Sequence, residues 1–431
     1  MPSHIHIWHD YCTCLVGYFD TGVGIKMYKT IRATCAASLA LACLAGPATT
    51  AGPPWPQFRG DYQRTGHASF FATYNPQLAW TYHAGTGASG SPVVAANGTV
   101  YCGAYDRYLY AVSPGGSLAW RYLSSGIILG TPAIGSDGSI YFGTATGSFY
   151  AVKSDGTPKW ASPYLIGAQG IAGPVLVGKT GSVYFGADDR YVYALNPDGT
   201  LRWRYQTGGA LKSGITSSPD GSVLYAACND GLVYALNDNG TLKWRSGIVS
   251  PANACAVGDD GVVYVGGTDC SMYALNPNGT QKWAYRTYGK ITTAAALGRD
   301  GAIYFASADN TLYALNSNGG VKWTKPTRDV VYSPPVAEMD GQLIYGTEAG
   351  HLIGVSVDDG STLWDRVAGT TIYTSPALAY DGSIYSLDTR GQLAKFTGPV
   401  NPEPSSLIAL AGGLIATASF VRRGRRTGRK S

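Results

Sequence analysis

Residues 131–161 read TPAIGSDGSIYFGTATGSFYAVKSDGTPKWA, and this stretch divides into four short apolar segments separated by turn signals. The segments cover 131–135, 139–143, 148–153 and 158–161, and the signals between them are Ser-Asp-Gly, Thr-Gly and a second Ser-Asp-Gly. Glycine after aspartate is typical of a tight hairpin turn, because glycine adopts positive φ without strain. The stretch therefore predicts four short antiparallel strands joined by tight turns.

The same unit recurs along the chain. An aliphatic residue followed by tyrosine, which we call the tyrosine station, recurs at steps of 40, 43, 41, 39, 40, 40 and 41 residues; in the seventh unit isoleucine replaces the tyrosine. The second residues of these pairs are Tyr101, Tyr141, Tyr184, Tyr225, Tyr264, Tyr304, Ile344 and Tyr385. A tryptophan follows each of the first seven stations, at Trp120, Trp160, Trp203, Trp244, Trp283, Trp323 and Trp364. A four-stranded unit with a period near 40 is the blade of a β-propeller. The units leave no room for crossover helices, which excludes an α/β fold.

The repeat count predicts a closed ring. The eighth unit stops after three strands near Phe396, and an unmatched strand around Trp80 precedes the first unit. Pairing that strand into the eighth unit removes the open sheet edges. We therefore predict an all-β, eight-bladed propeller of four-stranded antiparallel blades over 76–398, closed by the N-terminal strand and preceded by an irregular lead-in over 52–75. The tryptophans, Trp80 included, are predicted to fill the gaps between blades rather than to bind a ligand.

Residues 27–51 have the organisation of an export signal, which the preceding 26 residues lack. Lys29 and Arg32 precede an alanine-rich apolar run over 33–45, and small residues follow up to Ala51. This order predicts a secretory signal peptide that begins at Met27, preceded by a misassigned start.

The last residues, 399–431, combine a short motif, an apolar segment and a basic tail. The motif is Pro402, Glu403 and Pro404, the apolar segment is 407–421, and six cations follow it. Fifteen apolar or small residues are marginal for a membrane span, which needs about 20. The arrangement resembles the PEP-CTERM sorting signal of bacteria that produce exopolysaccharide. The resemblance implies processing by an exosortase-type enzyme, transient contact with the membrane, and delivery to the cell surface, outer membrane or extracellular matrix. An ordinary C-terminal anchor is the alternative.

Two sequence features resemble a known repeat family. The run 196–203, Asn-Pro-Asp-Gly-Thr-Leu-Arg-Trp, is similar to PQQ-like repeats, and the opening 55–60, Trp-Pro-Gln-Phe-Arg-Gly, matches the start common in these proteins. The resemblance covers roughly 54–398. It implies the fold but not the activity, because the family includes quinoprotein dehydrogenases as well as non-catalytic scaffolds of the BamB type. The adjacent cysteine pair of the dehydrogenases does not occur in this sequence.

Charge and motifs exclude several function classes. The net charge of +5 comes from the two ends, and residues 52–421 sum to −2, which argues against a nucleic-acid partner. The body contains three histidines, His67, His83 and His351, at unrelated repeat positions, so a three-histidine metal site is not expected. We predict no catalytic, cofactor-binding or metal-binding residues.

One polar feature repeats five residues after the tyrosine station, in the turn between the second and third strands. The residues that form this candidate rim are Asp106, Arg107, Asp189, Arg190, Asp230, Asp269, Asp309 and Arg390. One interpretation is turn chemistry, in which each aspartate caps its own backbone. The other is a polar rim around the channel mouth that binds a partner.

Four cysteines lie in the body: Cys102, Cys228, Cys255 and Cys270. An exported protein permits a disulfide among the last three, which are expected on one face. Burial as small hydrophobic residues is the alternative.

These observations favour an exported, non-enzymatic scaffold that binds a surface protein or polysaccharide and carries no cofactor. The alternative is a PQQ-dependent oxidoreductase that uses the same ring, with PQQ and Ca²⁺ as cofactors and the Ca²⁺ held by the aspartates of the candidate rim. A third hypothesis, a carbohydrate-active enzyme with acidic rim residues, lacks a carboxylate pair at defined spacing.

Overall fold

The computed structural model describes residues 55–247, 254–339 and 341–399. Within these ranges the chain forms thirty-two strands and no helix, arranged as eight separate antiparallel sheets of four strands. The prediction of an all-β, eight-bladed propeller is therefore confirmed.

The blades follow one another along the chain, and each runs from the innermost to the outermost strand. The first strand of the chain, β1 (Gln77–His83), belongs to the last blade. Blade 1 contains β2 (Val93–Val94), β3 (Val100–Gly103), β4 (Tyr108–Val112) and β5 (Leu118–Leu123). Blade 2 contains β6 (Ala133–Ile134), β7 (Ile140–Gly143), β8 (Ser148–Val152) and β9 (Tyr164–Leu165). Blade 3 contains β10 (Leu176–Val177), β11 (Val183–Gly186), β12 (Tyr191–Leu195) and β13 (Leu201–Gln206). Blade 4 contains β14 (Ile215–Ser217), β15 (Val223–Ala227), β16 (Leu232–Asn237) and β17 (Leu242–Gly247).

The second half of the ring repeats this order. Blade 5 contains β18 (Ala256–Val257), β19 (Val263–Gly266), β20 (Ser271–Leu275) and β21 (Gln281–Arg286). Blade 6 contains β22 (Ala296–Leu297), β23 (Ile303–Ser307), β24 (Thr311–Leu315) and β25 (Val321–Pro326). Blade 7 contains β26 (Val336–Ala337), β27 (Gln342–Gly346), β28 (His351–Ser356) and β29 (Thr362–Val367). Blade 8 contains β30 (Ala377–Leu378), β31 (Ile384–Leu387), β32 (Gln392–Thr397) and β1.

The burial of each strand follows its place in the blade. Second strands such as β3 are buried at every position, because neighbouring blades cover both faces of the sheet. Outer strands such as β13 alternate between exposed and half-buried residues. The hydrophobic core consists of clusters that join adjacent blades. Most join two, as with Tyr184 from blade 3 and Leu224 from blade 4, and one spans blades 7, 8 and 1.

Ring closure occurs where the sequence predicts it. Strand β1 pairs antiparallel with β32, from Gln77 opposite Thr397 to His83 opposite Gln392. The register shifts by one residue just before Trp80, and the same shift precedes Trp203 in blade 3. The closing strand therefore reproduces the geometry of an ordinary outer strand, although it comes from the other end of the propeller.

The outer strand of blade 2 differs from its prediction. The expected segment at 158–161 is not a strand; Pro158 makes only an isolated bridge with Val152, and the outer strand lies later, at Tyr164–Leu165. Pairing ends after Lys159, whose backbone N–H donates to the Ala151 carbonyl at 2.9 Å, and it resumes at Tyr164, directly after Pro163, which has no N–H to donate. This blade also has the longest repeat step, 43 residues, which accommodates the looped-out residues.

The tryptophans link each blade to the next. In seven of the described blades the indole Nε1 donates to a carbonyl oxygen in the turn between the third and fourth strands of the following blade, as from Trp203 to Asp238 at 2.7 Å. A turn glycine with positive φ lies under each indole; at Gly240 an added Cβ would come 2.7 Å from Trp203. These contacts place the indoles between blades.

Trp364 makes a different contact. Its Nε1 donates to the Gln342 side chain of its own blade, and it packs directly on Gly354, where a Cβ would lie 2.2 Å from the indole. The next blade is blade 8, whose outer strand comes from the N-terminus and therefore has no hairpin turn to receive an indole. Gly354 is the residue opposite Trp364 on the neighbouring strand, whereas the equivalent residues of blades 3 and 4 are Ala194 and Ala235. Because glycine has no Cβ, the indole of Trp364 can pack inward on its own blade.

Candidate functional site

The aspartates of the candidate rim are bonded within their own turns. One oxygen of Asp106 accepts the backbone N–H of Tyr108, and the other accepts the hydroxyl of Tyr110 at 2.5 Å. The same pair of bonds recurs at Asp189, Asp230 and Asp269. Burial, together with the Asp106 carboxylate, raises the pKa of Tyr110 to about 12. These contacts match the turn-chemistry interpretation.

Some of these aspartates also hold the loop that enters their blade. Asp230 accepts the backbone N–H of Gly208, and Asp309 accepts that of Tyr288. Burial alone would raise the pKa of Asp230, but the hydrogen bonds from Tyr234 and its neighbours lower it. The turns and the blade-to-blade loops, which we call crossovers, therefore share one face of the ring, the crossover face.

The rim arginines are exposed on this face. Arg107 and Arg190 have φ values of 73° and 72°, in the left-handed region that glycine occupies in other blades, as at Gly231. Arg390 is also exposed. Their role in binding a partner stays a prediction.

The opposite end of the channel is covered by residues 55–75, the lead-in belt. This segment contacts the innermost strands of blades 1 to 7 in turn, and in blade 8 it bonds the turn that follows the innermost strand. The backbone or side-chain bonds join Trp55 to Val94, Pro56 to Ile134, Gln57 to Val177, Tyr62 to Ser217, Gln63 to Val257, Thr65 to Leu297 and Gly66 to Ala337 in blades 1 to 7, and Thr73 bonds Gly382 in blade 8. The belt therefore ties all eight blades together on the face opposite the crossovers.

Two buried arginines fix the path of the belt. Arg64 is fully buried, and its Nε donates to the Ile215 carbonyl at 2.6 Å while Nη2 donates to Pro174 and Val175 at 3.3 Å each. Arg59 is equally buried and donates to Pro335. Desolvation lowers the pKa of each guanidinium to about 9. Arg59 and Arg64 therefore stabilise the ring and do not contact a ligand. Arg59 belongs to the Trp-Pro-Gln-Phe-Arg-Gly opening, and Arg64 to the Arg-Thr-Gly that follows it.

The crossover face carries a funnel at its centre. It is a cavity of about 400 Å³ whose wall includes residues from all eight crossovers and whose lining includes Phe58 of the belt. Phe58 is 9% exposed and lies at the closed end, because the belt covers that side of the ring.

One position of the crossover defines much of the funnel wall. In six crossovers the residue that follows a buried aliphatic side chain lines the cavity: Ser89, Leu129, Ala172, Lys212, Tyr332 and Tyr373. We call these six residues the funnel ring. Tyr332 and Tyr373 come from neighbouring crossovers, and their ring centroids lie 5.0 Å apart at 78°. The ring is not evident in the sequence, because its members differ in residue type. What they share is their position directly after the buried aliphatic residue of the crossover.

The four cysteines are free thiols. Cys102, Cys228 and Cys255 are buried in different hydrophobic clusters, and Cys270 is half-buried in a turn. Burial raises the pKa of Cys102 and Cys255 to about 12. No disulfide joins them in the structure, so Cys228 and Cys255 fit the alternative of small buried hydrophobic residues.

Neither metal clusters nor membrane helices occur in the part of the chain that the structure describes. In these ranges no three His, Cys, Asp or Glu side chains are grouped to hold a metal ion. The same ranges contain no helix long and apolar enough to cross a membrane. The predicted signal peptide and the sorting motif with Pro402, Glu403 and Pro404 lie outside the described residues.

The fold and its repeats define a propeller built from PQQ-like units. The chain belongs to the family described as outer membrane protein assembly factor BamB, which matches residues 66–187, 188–300 and 290–398. No curated protein matches the sequence.

Solved structures with the same fold are distant in sequence. BamB from Moraxella catarrhalis is 15% identical, with a TM-score of 0.63 over 75% of this chain and 100% of that chain. A europium-containing methanol dehydrogenase is 14% identical, with a TM-score of 0.67 over 80% and 98%. The quinohemoprotein alcohol dehydrogenase from Comamonas testosteroni is 14% identical, with a TM-score of 0.66 over 84% and 83%. At these identities the likeness shows the fold alone.

The residues present fit a quinone cofactor poorly. PQQ is a tricarboxylate, and among the described residues that line the funnel Lys212 is the only cation. A Ca²⁺ ion beside it would need several oxygen ligands. The aspartates of the rim already accept hydrogen bonds from their own turns, and no acidic side chain is among the described lining residues. We therefore derive no reaction step through a quinone.

Proposed function

We propose that the protein is an exported, non-enzymatic scaffold that binds a protein or polysaccharide on its crossover face. The observation that carries this proposal is the lead-in belt, which bonds to all eight blades and leaves the funnel open on one side only. A ring that the lead-in belt holds on one face, and whose funnel opens on the crossover face, suits a rigid binding platform. Membership in a family described as an assembly factor of the outer membrane supports an envelope role.

We further propose that export begins at Met27 and that the chain is processed near Pro402, Glu403 and Pro404. An exosortase-type enzyme would remove the apolar segment and basic tail and release the propeller to the cell surface or extracellular matrix. Intact-mass analysis of the surface and secreted fractions tests this address. A propeller lacking both ends is expected, whereas a full-length cytoplasmic chain would contradict it.

A PQQ-dependent oxidoreductase is the second candidate function. The similar folds of methanol and alcohol dehydrogenases favour it, and the poor fit of the funnel residues to a tricarboxylate opposes it. The direct test is to incubate the purified protein with PQQ and Ca²⁺, remove the excess, and measure retained quinone absorbance and dye-linked oxidation of alcohols and sugars. The scaffold proposal expects neither; stoichiometric quinone with turnover would overturn it.

The binding face is tested by substitution. Arg107, Arg190 and Arg390 replaced together by alanine should weaken attachment to native exopolysaccharide or cell-surface fractions, because the three cations stand exposed on the crossover face. The matched control replaces three exposed cations on outer strands: Arg121, Lys243 and Arg245. Equal attachment of both triple variants and the unmodified protein would remove the rim from the proposed surface.

A further inference from the structure

The funnel ring varies in a scaffold that otherwise repeats. The tyrosine stations and the docked tryptophans return blade after blade, whereas the six members of the funnel ring belong to several chemical classes. All six follow a buried aliphatic residue, so the fold fixes their place but not their type. The repeat therefore does not dictate the chemistry of the funnel wall, which is free to match a ligand.

One side of the wall is aromatic. Tyr332 and Tyr373 are 37% and 42% exposed and meet edge to face at the mouth. Hydroxyl groups hold the loops beneath them: Ser333 donates to the Thr374 carbonyl at 2.7 Å, and Ser375 donates to the Pro334 carbonyl at 3.1 Å. The rings are thus pre-positioned, and the face of an aromatic ring is a suitable surface for the C–H groups of a sugar.

The other side of the wall is polar and cationic. Lys212 precedes blade 4, and Tyr373 precedes blade 8, so the two lie on opposite sides of an eight-membered ring. Ser213 and Asn229 line the cavity beside Lys212. The side chain of Lys212 is 60% exposed and forms a long ion pair with the Asp188 carboxylate, at 3.9 Å. That distance is too long for a good hydrogen bond, which leaves the ammonium group able to donate to a ligand.

The depth of the funnel limits how a polymer enters. The cavity of about 400 Å³ lies within the ~300–1,000 Å³ that small-molecule sites occupy. Because Phe58 and the belt close the far end, a polymer cannot pass through the ring. A chain can insert only its end.

We infer that the funnel binds the terminal sugar of an acidic saccharide. The sugar ring packs on Tyr332 and Tyr373, its carboxylate meets Lys212, and its hydroxyls contact Ser213 and Asn229. This inference rests on the proposed scaffold function and names the ligand of its crossover face.

The test is calorimetric titration of the mature protein with trisaccharides. The probes are a panel of glucuronate-, galacturonate- and mannuronate-containing trimers and their neutral counterparts. Tyr373→Ala should weaken the binding of an acidic trimer about tenfold, because stacking is lost while the fold keeps its buried contacts. Lys212→Met should abolish the preference for acidic over neutral trimers and the salt dependence of that preference. Tyr288→Ala is the matched control, since Tyr288 is 97% exposed in another crossover and should leave affinity unchanged.

Chain length gives a second readout. Binding of the chain end predicts equal affinity per molecule for trimers and for longer chains of the same sugar, whereas binding along the chain predicts affinity that rises with length. The inference is overturned if no acidic trimer binds, if Tyr373→Ala and Tyr288→Ala bind alike, or if a peptide rather than a saccharide occupies the funnel. The scaffold proposal is judged separately, by attachment of the rim variants to surface fractions.

Discussion

Replacing Arg64 by methionine tests whether the lead-in belt stabilises the ring. Methionine keeps an unbranched apolar stem in a site that is fully buried but removes the guanidinium. The carbonyl oxygens of Pro174 and Val175, in the crossover that enters blade 3, and of Ile215, in the innermost strand of blade 4, then lose this donor. The substitution thus separates the bonds of the belt from its packing.

The expected loss follows from the three bonds. The short, charge-assisted bond to Ile215 contributes about 2 kcal/mol, and each longer bond contributes ~0.5–1 kcal/mol. Removing the buried charge offsets about 1 kcal/mol of this loss, because the desolvation of the guanidinium no longer opposes folding. The same desolvation lowers the pKa of Arg64 to about 9. The free energy of unfolding should therefore fall by ~2–3 kcal/mol. For a ring of this size that corresponds to a Tm lower by roughly 3–4 °C.

The assay is urea and thermal unfolding followed by tryptophan fluorescence. Arg121→Met is the control: Arg121 is exposed on an outer strand with its guanidinium 4.4 Å from the centre of the Tyr108 ring, and its loss should cost under about 1 kcal/mol. If Arg64→Met destabilises the protein no more than Arg121→Met, the belt does not hold the ring as we describe.

Three further outcomes are expected. Burial and, after it, the Asp238 carboxylate raise the pKa of Tyr184 to about 12, whereas a tyrosine of the unfolded chain titrates near 10. The free energy of unfolding should therefore fall between pH 10 and 12, by up to ~1.4 kcal/mol per pH unit for each such tyrosine. A Tm that is unchanged from pH 9 to 11 would contradict this. In urea unfolding, Gly240→Ala should lower the free energy of unfolding by ~1–3 kcal/mol more than Gly138→Ala. Both glycines have a positive φ, but only at Gly240 would the new Cβ meet Trp203. Equal losses of stability would refute the docking of the indole between blades. Arg107→Gly should stabilise the protein by about 1 kcal/mol by relieving a left-handed φ of 73°, and a loss of stability would show that the arginine compensates for its strain.

The periodicity made the fold predictable, and local proline chemistry limited the detail. Aromatic stations in phase over eight units specified the blades, and the unmatched Trp80 strand specified how the ring closes. The apolar pattern predicts the outer strand of blade 2 at 158–161, whereas pairing there ends after Lys159 and the strand forms beyond Pro163. Periodicity identifies which segments are strands, whereas hydrogen bonding decides where each one begins.

The candidate site was less predictable. A repeated aspartate is visible in the sequence, but only coordinates show that Tyr110 donates to Asp106. The funnel ring is not visible, because its members share a position and not a residue type. The path of the belt also depends on contacts between residues more than 100 positions apart, such as Gln57 with Val177, which no local pattern encodes.

Hydrogen–deuterium exchange of the mature protein, with and without a saturating acidic trisaccharide, tests the central claim most directly. Binding in a one-sided funnel predicts slower exchange in the crossovers 207–214, 327–335 and 368–376, and unchanged exchange in the turns between third and fourth strands on the opposite face, such as 113–117. Protection on the opposite face, or no protection in any crossover, would contradict the account.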